Sequence, residues 1–203
     1  MKHVSIDIET MATSNDAAVV GLGARAFDHT GVGKGFEIFI NQGAAARLGR
    51  VDLDTMQWWG KQAAYPKVFG GTVDPTTALH KLNEFLDEVN AEYVWANGPQ
   101  FDLVILRNFY VAAGSKFPFH YRAERDFRTI RHVAQMLHID LEGCYDGTEH
   151  LPLDDATNQA RVIGRVLGVL KSDPIPRAAP AKQGRGRLQL APAQRDLDLV
   201  GKL

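Results

Sequence analysis

The chain has 203 residues, 45% hydrophobic and 23% charged, with a formal net charge of −1. That is an ordinary globular composition, long enough to bury one good core, and it lacks the overall basic charge usual for nucleic-acid binders. The single cysteine, Cys144, excludes an internal disulfide, and no run of about eighteen apolar residues is present to cross a bilayer. Asp7 and Glu9 interrupt any signal-like start, so a cytoplasmic protein without membrane contact is expected.

The first element is a strand through residues 5–10. Its alternation sets Val4, Ile6 and Ile8 on one face and Ser5, Asp7 and Glu9 on the other. Same-face carboxylates on a strand, about 6.5–7 Å apart, repel at neutral pH unless water or a cation lies between them. The pattern therefore fits either a solvated strand or a hard-metal site. A loop over 13–16 leads to a second, buried strand over 18–27, a turn at 28–31, and a third strand over 35–40 that pairs with the second as a hairpin. An antiparallel meander of three strands thus opens the chain.

Residues 42–51 form a connector, after which Asp52 or Asp54 caps a short helix through Trp58 and Trp59 to residue 62. Adjacent tryptophans on a helix diverge by about 100°, so one is buried and the other is available at a surface or cleft. Asp74-Pro75 starts a helix in which Ala78, Leu79, Leu82, Phe85, Leu86 and Val89 keep the helical period. Residues 92–96 follow as a short apolar strand, and the strand–helix–strand order suggests a parallel addition to the meander.

Residues 97–100 break that strand and start another helix, with Pro99 in its first turn. Counting from Asp102, the period runs through Ile105, Leu106, Phe109, Ala112 and Ala113, so an acid heads an inward stripe. Residues 114–124 are an aromatic-rich loop, and Asp126 caps a helix that uses Ile130, Val133, Ala134 and Leu137. After a polar, glycine-bearing loop over 140–147, the last helix runs over roughly 156–170. Ala156, Ala160, Ile163, Leu167 and Leu170 form one stripe, and Val162, Val166 and Val169 its neighbour. Seven residues before Val162 stands Asp155, a second acid heading an inward stripe; Asp154 is the more conventional cap and an internal control. From residue 172 onward Pro, Ala, Gln, Gly and Arg follow no period, so residues 1–171 read as one domain and 172–203 as a flexible tail.

Asp7, Glu9, Asp102 and Asp155 therefore point inward on separate grounds. Burying four carboxylates together without cations costs many kcal/mol, and an all-carboxylate set suits Mg²⁺ or Mn²⁺ rather than zinc. His150, five residues before Asp155 in a loop, can reach the same cleft as a base without being a ligand.

These residues resemble the three motifs of the DEDDh branch of the DnaQ-like 3′–5′ exonucleases. Asp7-Ile8-Glu9-Thr10 matches the first, Asn97 to Asp102 with Phe101-Asp102 at its end the second, and His150 with Asp155 the third. Met11, Trp58-Trp59 with Gln62, Ala96-Asn97-Gly98, Arg125 to Thr129 and Asp154-Asp155-Ala156 with Gln159 look most like the phage exonuclease A and mycobacterial exoribonuclease type.

The resemblance implies an α/β ribonuclease H-like fold with a mixed five-stranded sheet flanked by helices. It also implies two Mg²⁺ or Mn²⁺ ions per site, bridged by Asp7. Asp7, Glu9 and Asp155 would hold the ion carrying the attacking water, Asp102 would support the second ion, and His150 would take the proton. Nucleoside 5′-monophosphates would leave the 3′ ends of single-stranded RNA or DNA; the sequence does not decide between the two, and RNA is the slightly favoured choice. Thr10 and Met11 would meet the terminal sugar and base. Phe101 and one of Trp58 or Trp59, with a slight preference for Trp59, would stack on the base. Asn97 belongs to the same substrate-binding set, and a homodimer is expected by analogy. Two other readings share the acids: a binding module without catalysis, and a ribonuclease H-type endonuclease, which would not require His150.

Overall fold

The strand that carries Asp7 and Glu9 sits at the centre of a five-stranded sheet. In the computed structural model, described over residues 1–172, β1 (His3–Thr10) lies between β2 (Val19–Asp28) and β4 (Tyr93–Ala96). β3 (Gly31–Phe39) flanks β2 and β5 (Glu124–Asp126) flanks β4, giving the order β3-β2-β1-β4-β5. β1, β2 and β3 pair antiparallel, while β4 joins β1 and β5 joins β4 in parallel. The meander and its parallel addition are present as expected. β5 falls at the end of the segment that reads as a loop, because three residues are too few to show an alternation.

The helices are α1 (Gln42–Ala45), α2 (Leu53–Trp59), α3 (Tyr65–Val68), α4 (Pro75–Glu88), α5 (Asp102–Ala112), α6 (Phe127–Met136) and α7 (Pro152–Ser172). Val4, Ile6 and Ile8 of β1 pack in one core with Leu79, Leu82 and Phe85 of α4 and Ile105, Leu106 and Phe109 of α5. A smaller core joins Phe27 and Trp95 to Phe127 of α6 and to Ala160, Val162 and Ile163 of α7. Burying each large apolar side chain contributes about 1.5–3 kcal/mol, so both helical layers are held mainly by these stripes.

Several boundaries differ from the sequence reading. α2 ends at Trp59, with Gly60 as its cap, rather than at residue 62. α5 begins at Asp102 rather than within 97–100, since Gly98 takes φ 100°, a left-handed conformation outside the helical range. Its buried face uses Leu103 and Tyr110 with Ile105, Leu106 and Phe109, and leaves Ala112 exposed. Leu137, which caps the end of α6 rather than lying within it, is 50% exposed and falls outside the inward stripe. α7 begins at Pro152, where a proline suits the first turn. The tail expected over 172–203 lies, apart from Ser172, outside the described residues.

One local feature brings α7 to the acids. In the β1–β2 register, Gly23 stands opposite Asp7 and Gly21 opposite Glu9. A Cβ on Gly23 would lie 2.0 Å from the carbonyl carbon of Pro152. The absence of a side chain there lets the first turn of α7 rest against the sheet, and Asp155 comes with it.

Candidate active site

Ser5, Asp7 and Glu9 share one face of β1, as the alternation requires, and α7 packs against that strand. β4 pairs with β1 only from His3 to Ser5. Beyond Ser5 the strand has no neighbour on that side, and α5 brings Asp102 to the backbone of Ile8. Asp155 comes from the first turn of α7. The structure thus draws the four acids together from one strand and two helix starts.

Their titration reflects that crowding. Burial, then the charges of Asp102, Glu9 and Asp155, pushes the Asp7 carboxyl well above its ordinary range, although part of the residue still opens onto a cleft. Burial, reinforced by Asp155 and Asp102, raises Glu9 to about 9. Burial raises Asp102 to about 7 against the opposing pull of its own amide, the Ile8 amide and Arg128. Asp155 is raised by burial and drawn back by the His150 amide. No Lys or Arg forms an ion pair with any of the four among the described residues. Crowded, largely desolvated carboxylates with no ion-paired partner are an oxygen donor set suited to hard divalent cations. Glu9, Asp155 and His150 also offer one ligand atom each within 4.8 Å of one another.

His150 is held firmly in its loop. It takes φ 66°, an uncommon conformation for a residue with a side chain, and its amide donates to Asp155 Oδ2 at 2.9 Å. Trp58 meets its ring edge-on at 5.0 Å between centroids, and Trp59 at 6.0 Å.

The expected base-stacking residues divide. A cavity of about 520 Å³ is lined by Thr10, Thr13, Asp52, Asp54, Thr55, Trp58, Trp59 and Phe101. Trp58 is 43% exposed, whereas Trp59 is 2% exposed and donates its Nε1–H to the Thr10 carbonyl at 2.9 Å. Burial therefore reverses the slight preference for Trp59: the ring with a free face is Trp58. Met11 is 5% exposed and packs in the main core, so its side chain does not line that cavity as expected. Asn97 lines a second cleft of about 590 Å³ together with Asp7, His150 and Asp155.

Two residues gain roles that sequence reasoning did not give them. Gln159 donates its Nε2–H to Asp7 Oδ1 at 2.9 Å and accepts from Ser5 Oγ at 2.9 Å, a buried chain that fixes the Asp7 carboxylate. Its signal was its place one helical turn after Asp155, on the same face. Asp154 is not a cap: its Oδ2 accepts from the Thr148 amide at 2.9 Å and anchors the loop that carries His150.

A family model described as the 3′-5′ exoribonuclease Rv2179c-like domain matches residues 2–167. The chain belongs to that family. No curated protein matches it significantly. Among solved structures, the nuclease domain of 3′hExo, a DEDDh family member bound to rAMP, is 13% identical with a TM-score of 0.58, covering 81% of this chain and 90% of that one. Cell-death related nuclease 4 (CRN-4) is 10% identical at a TM-score of 0.58, covering 82% of this chain and 64% of that one. Pop2p of S. pombe, in its Mg²⁺- and Mn²⁺-bound form, is 12% identical at 0.52, covering 84% and 83%. The Rv2179c-like domain thus has the ribonuclease H-like fold of DEDDh nucleases, and it is a 3′–5′ exonuclease. Among its described residues no helix is long and apolar enough to cross a membrane.

Proposed function

We propose that this chain shortens single-stranded RNA from its 3′ end, releasing nucleoside 5′-monophosphates by hydrolysis with two Mg²⁺ or Mn²⁺ ions. The observation that carries this reading is the convergence of Glu9 and Asp102, buried, with Asp7 and Asp155, half-buried, none of them in an ion pair with Lys or Arg among the described residues, beside a histidine fixed in place. The family description supports RNA over DNA.

Asp7, Glu9 and Asp155 would hold one ion and Asp102, with Asp7, the other. When bound, the ions would activate a water and offset charge on the incoming and departing oxygens. Gln159 keeps Oδ1 of Asp7 oriented and leaves Oδ2 without a partner among the described residues. His150 would take the proton from the attacking water at a ring nitrogen, a role suited to imidazole near neutral pH. The Asp155 carboxylate holds the His150 backbone in register, and the Trp58 and Trp59 rings pack against its ring at steep angles. Trp58 and Phe101 would stack on the terminal base beside Thr10.

Matched 5′-labelled RNA and DNA oligomers, single-stranded and as tailed duplexes, test the reading with Mg²⁺ and with Mn²⁺. A ladder shortening one nucleotide at a time, faster on RNA, is expected. Internal cuts would replace it with an endonuclease, and binding without turnover with a binding module.

A further inference from the structure

We propose that Arg128 and Arg131 hold the backbone phosphate immediately upstream of the scissile linkage, so that the strand leaves the site across the first turns of α6. This rests on the exonuclease reading above and gives the strand a direction.

The two cavities beside the acids differ in charge. The aromatic one carries Asp52 and Asp54 and no cationic side chain. Asp52 stands at the N-cap position of α2, makes no capping hydrogen bond, and lines the cavity half-exposed. Carboxylates accept hydrogen bonds and repel phosphate, so this cavity suits a terminal nucleoside with free hydroxyls. The rest of the strand carries a negative charge at every linkage and needs the other side.

The second cleft supplies that side. Asp7, His150 and Asp155 line it together with Arg131, Asn97 and Tyr145. Arg128 lies one turn before Arg131 on α6, so the two guanidinium groups share a helix face. Arg128 Nε donates to Asn97 Oδ1 at 3.3 Å, and its Cζ would lie 3.1 Å from a Cβ on Gly98, which places it at the start of the second motif. Both arginines are exposed, and neither forms an ion pair among the described residues. Asp146 and Glu149 line the same cleft on the opposite loop, so charge there is mixed; among the described residues Arg131 is the one Lys or Arg in its lining, and Arg128 stands beside it through its bond to the lining residue Asn97. Planar guanidinium groups with free N–H donors match a phosphate better than they match bulk water alone.

Three substrates separate the roles: a dinucleoside monophosphate with no upstream phosphate, the same molecule with a 5′-phosphate, and a 5′-phosphorylated oligomer of about ten nucleotides. In the unaltered protein the 5′-phosphate should raise kcat/KM. Arg131→Gln should cut that gain about tenfold, Arg128→Gln should cut it less, and each should lower the salt dependence of oligomer binding by about one counter-ion. Lys34→Gln, on β3, serves as the control for loss of one positive charge. Equal loss on all three substrates, or an unchanged gain from the 5′-phosphate in both arginine variants, overturns the assignment and leaves the exonuclease reading standing. No turnover of any substrate by the unaltered protein would instead remove that reading and this inference with it.

Discussion

Replacing Glu9 by glutamine should stabilise the metal-free protein at alkaline pH while destroying its function. Glu9 titrates near 4.5 when unfolded and at about 9 when folded. The folded state therefore binds a proton more tightly, and stability falls as pH rises between those values, by about 1.4 kcal/mol per unit. By about pH 7.5 folded Glu9 still holds a proton that the unfolded chain has lost, and this difference costs about 4 kcal/mol of stability, a large share of the 5–15 kcal/mol typical of a domain. Asp102, raised to about 7, adds to the same trend below neutrality. For a domain of this size about 4 kcal/mol corresponds to roughly 8–16 °C in Tm. Melting in EDTA should thus show a Tm that falls from about pH 5 to about pH 8.5. Mg²⁺ should recover most of the loss, with a larger shift at the higher pH, because binding requires the ionised acids. Glu9→Gln should make the EDTA profile shallower, the remaining slope coming from the other raised acids, and melt above the unaltered protein at high pH. A flat EDTA profile in the unaltered protein, or a variant that melts lower at pH 8.5, would refute the crowding argument.

The other predictions concern single side chains. Asp155→Asn should lower kcat by several orders of magnitude, whereas Asp154→Asn, which keeps an acceptor for the Thr148 amide, should change it less than about threefold and Asp154→Ala more; steady-state kinetics decide. His150→Ala should lower kcat by about 10²–10⁴-fold with Mn²⁺ binding retained in calorimetry, and loss of binding would make His150 a ligand. Trp58→Ala should raise KM by an amount equivalent to about 1–3 kcal/mol of stacking, while Trp59→Phe, which removes the hydrogen bond to Thr10, should lower stability by about 1 kcal/mol. Gly23→Ala must displace Pro152, so it should lower both Tm and activity.

Much of this was legible in the sequence because inward orientation follows from period. The β1 alternation fixed the face of Asp7 and Glu9, and the helical stripes beginning at Asp102 and Asp155 did the same for the other two acids. Features that depend on neighbours distant in sequence were not legible. Which tryptophan is buried is decided by the Thr10 carbonyl that receives the Trp59 indole, 49 residues away. The burial of Met11 is decided by the core it enters, not by its place after the first motif. Gln159 acquires its role only when α7 lies on β1, and that approach depends on a glycine opposite Asp7. Asp154 looked like a cap because helix starts are hard to place to within a few residues, and the true start at Pro152 moves it inside the first turn.

The most direct test of the central claim is digestion of a single-stranded RNA in ¹⁸O-labelled water with Mg²⁺, followed by mass spectrometry of the first product. The account predicts the 3′-terminal nucleoside 5′-monophosphate with one ¹⁸O on its phosphate, absent in Asp7→Asn. Products ending in a 3′-phosphate, internal fragments, or a monophosphate without label would contradict it.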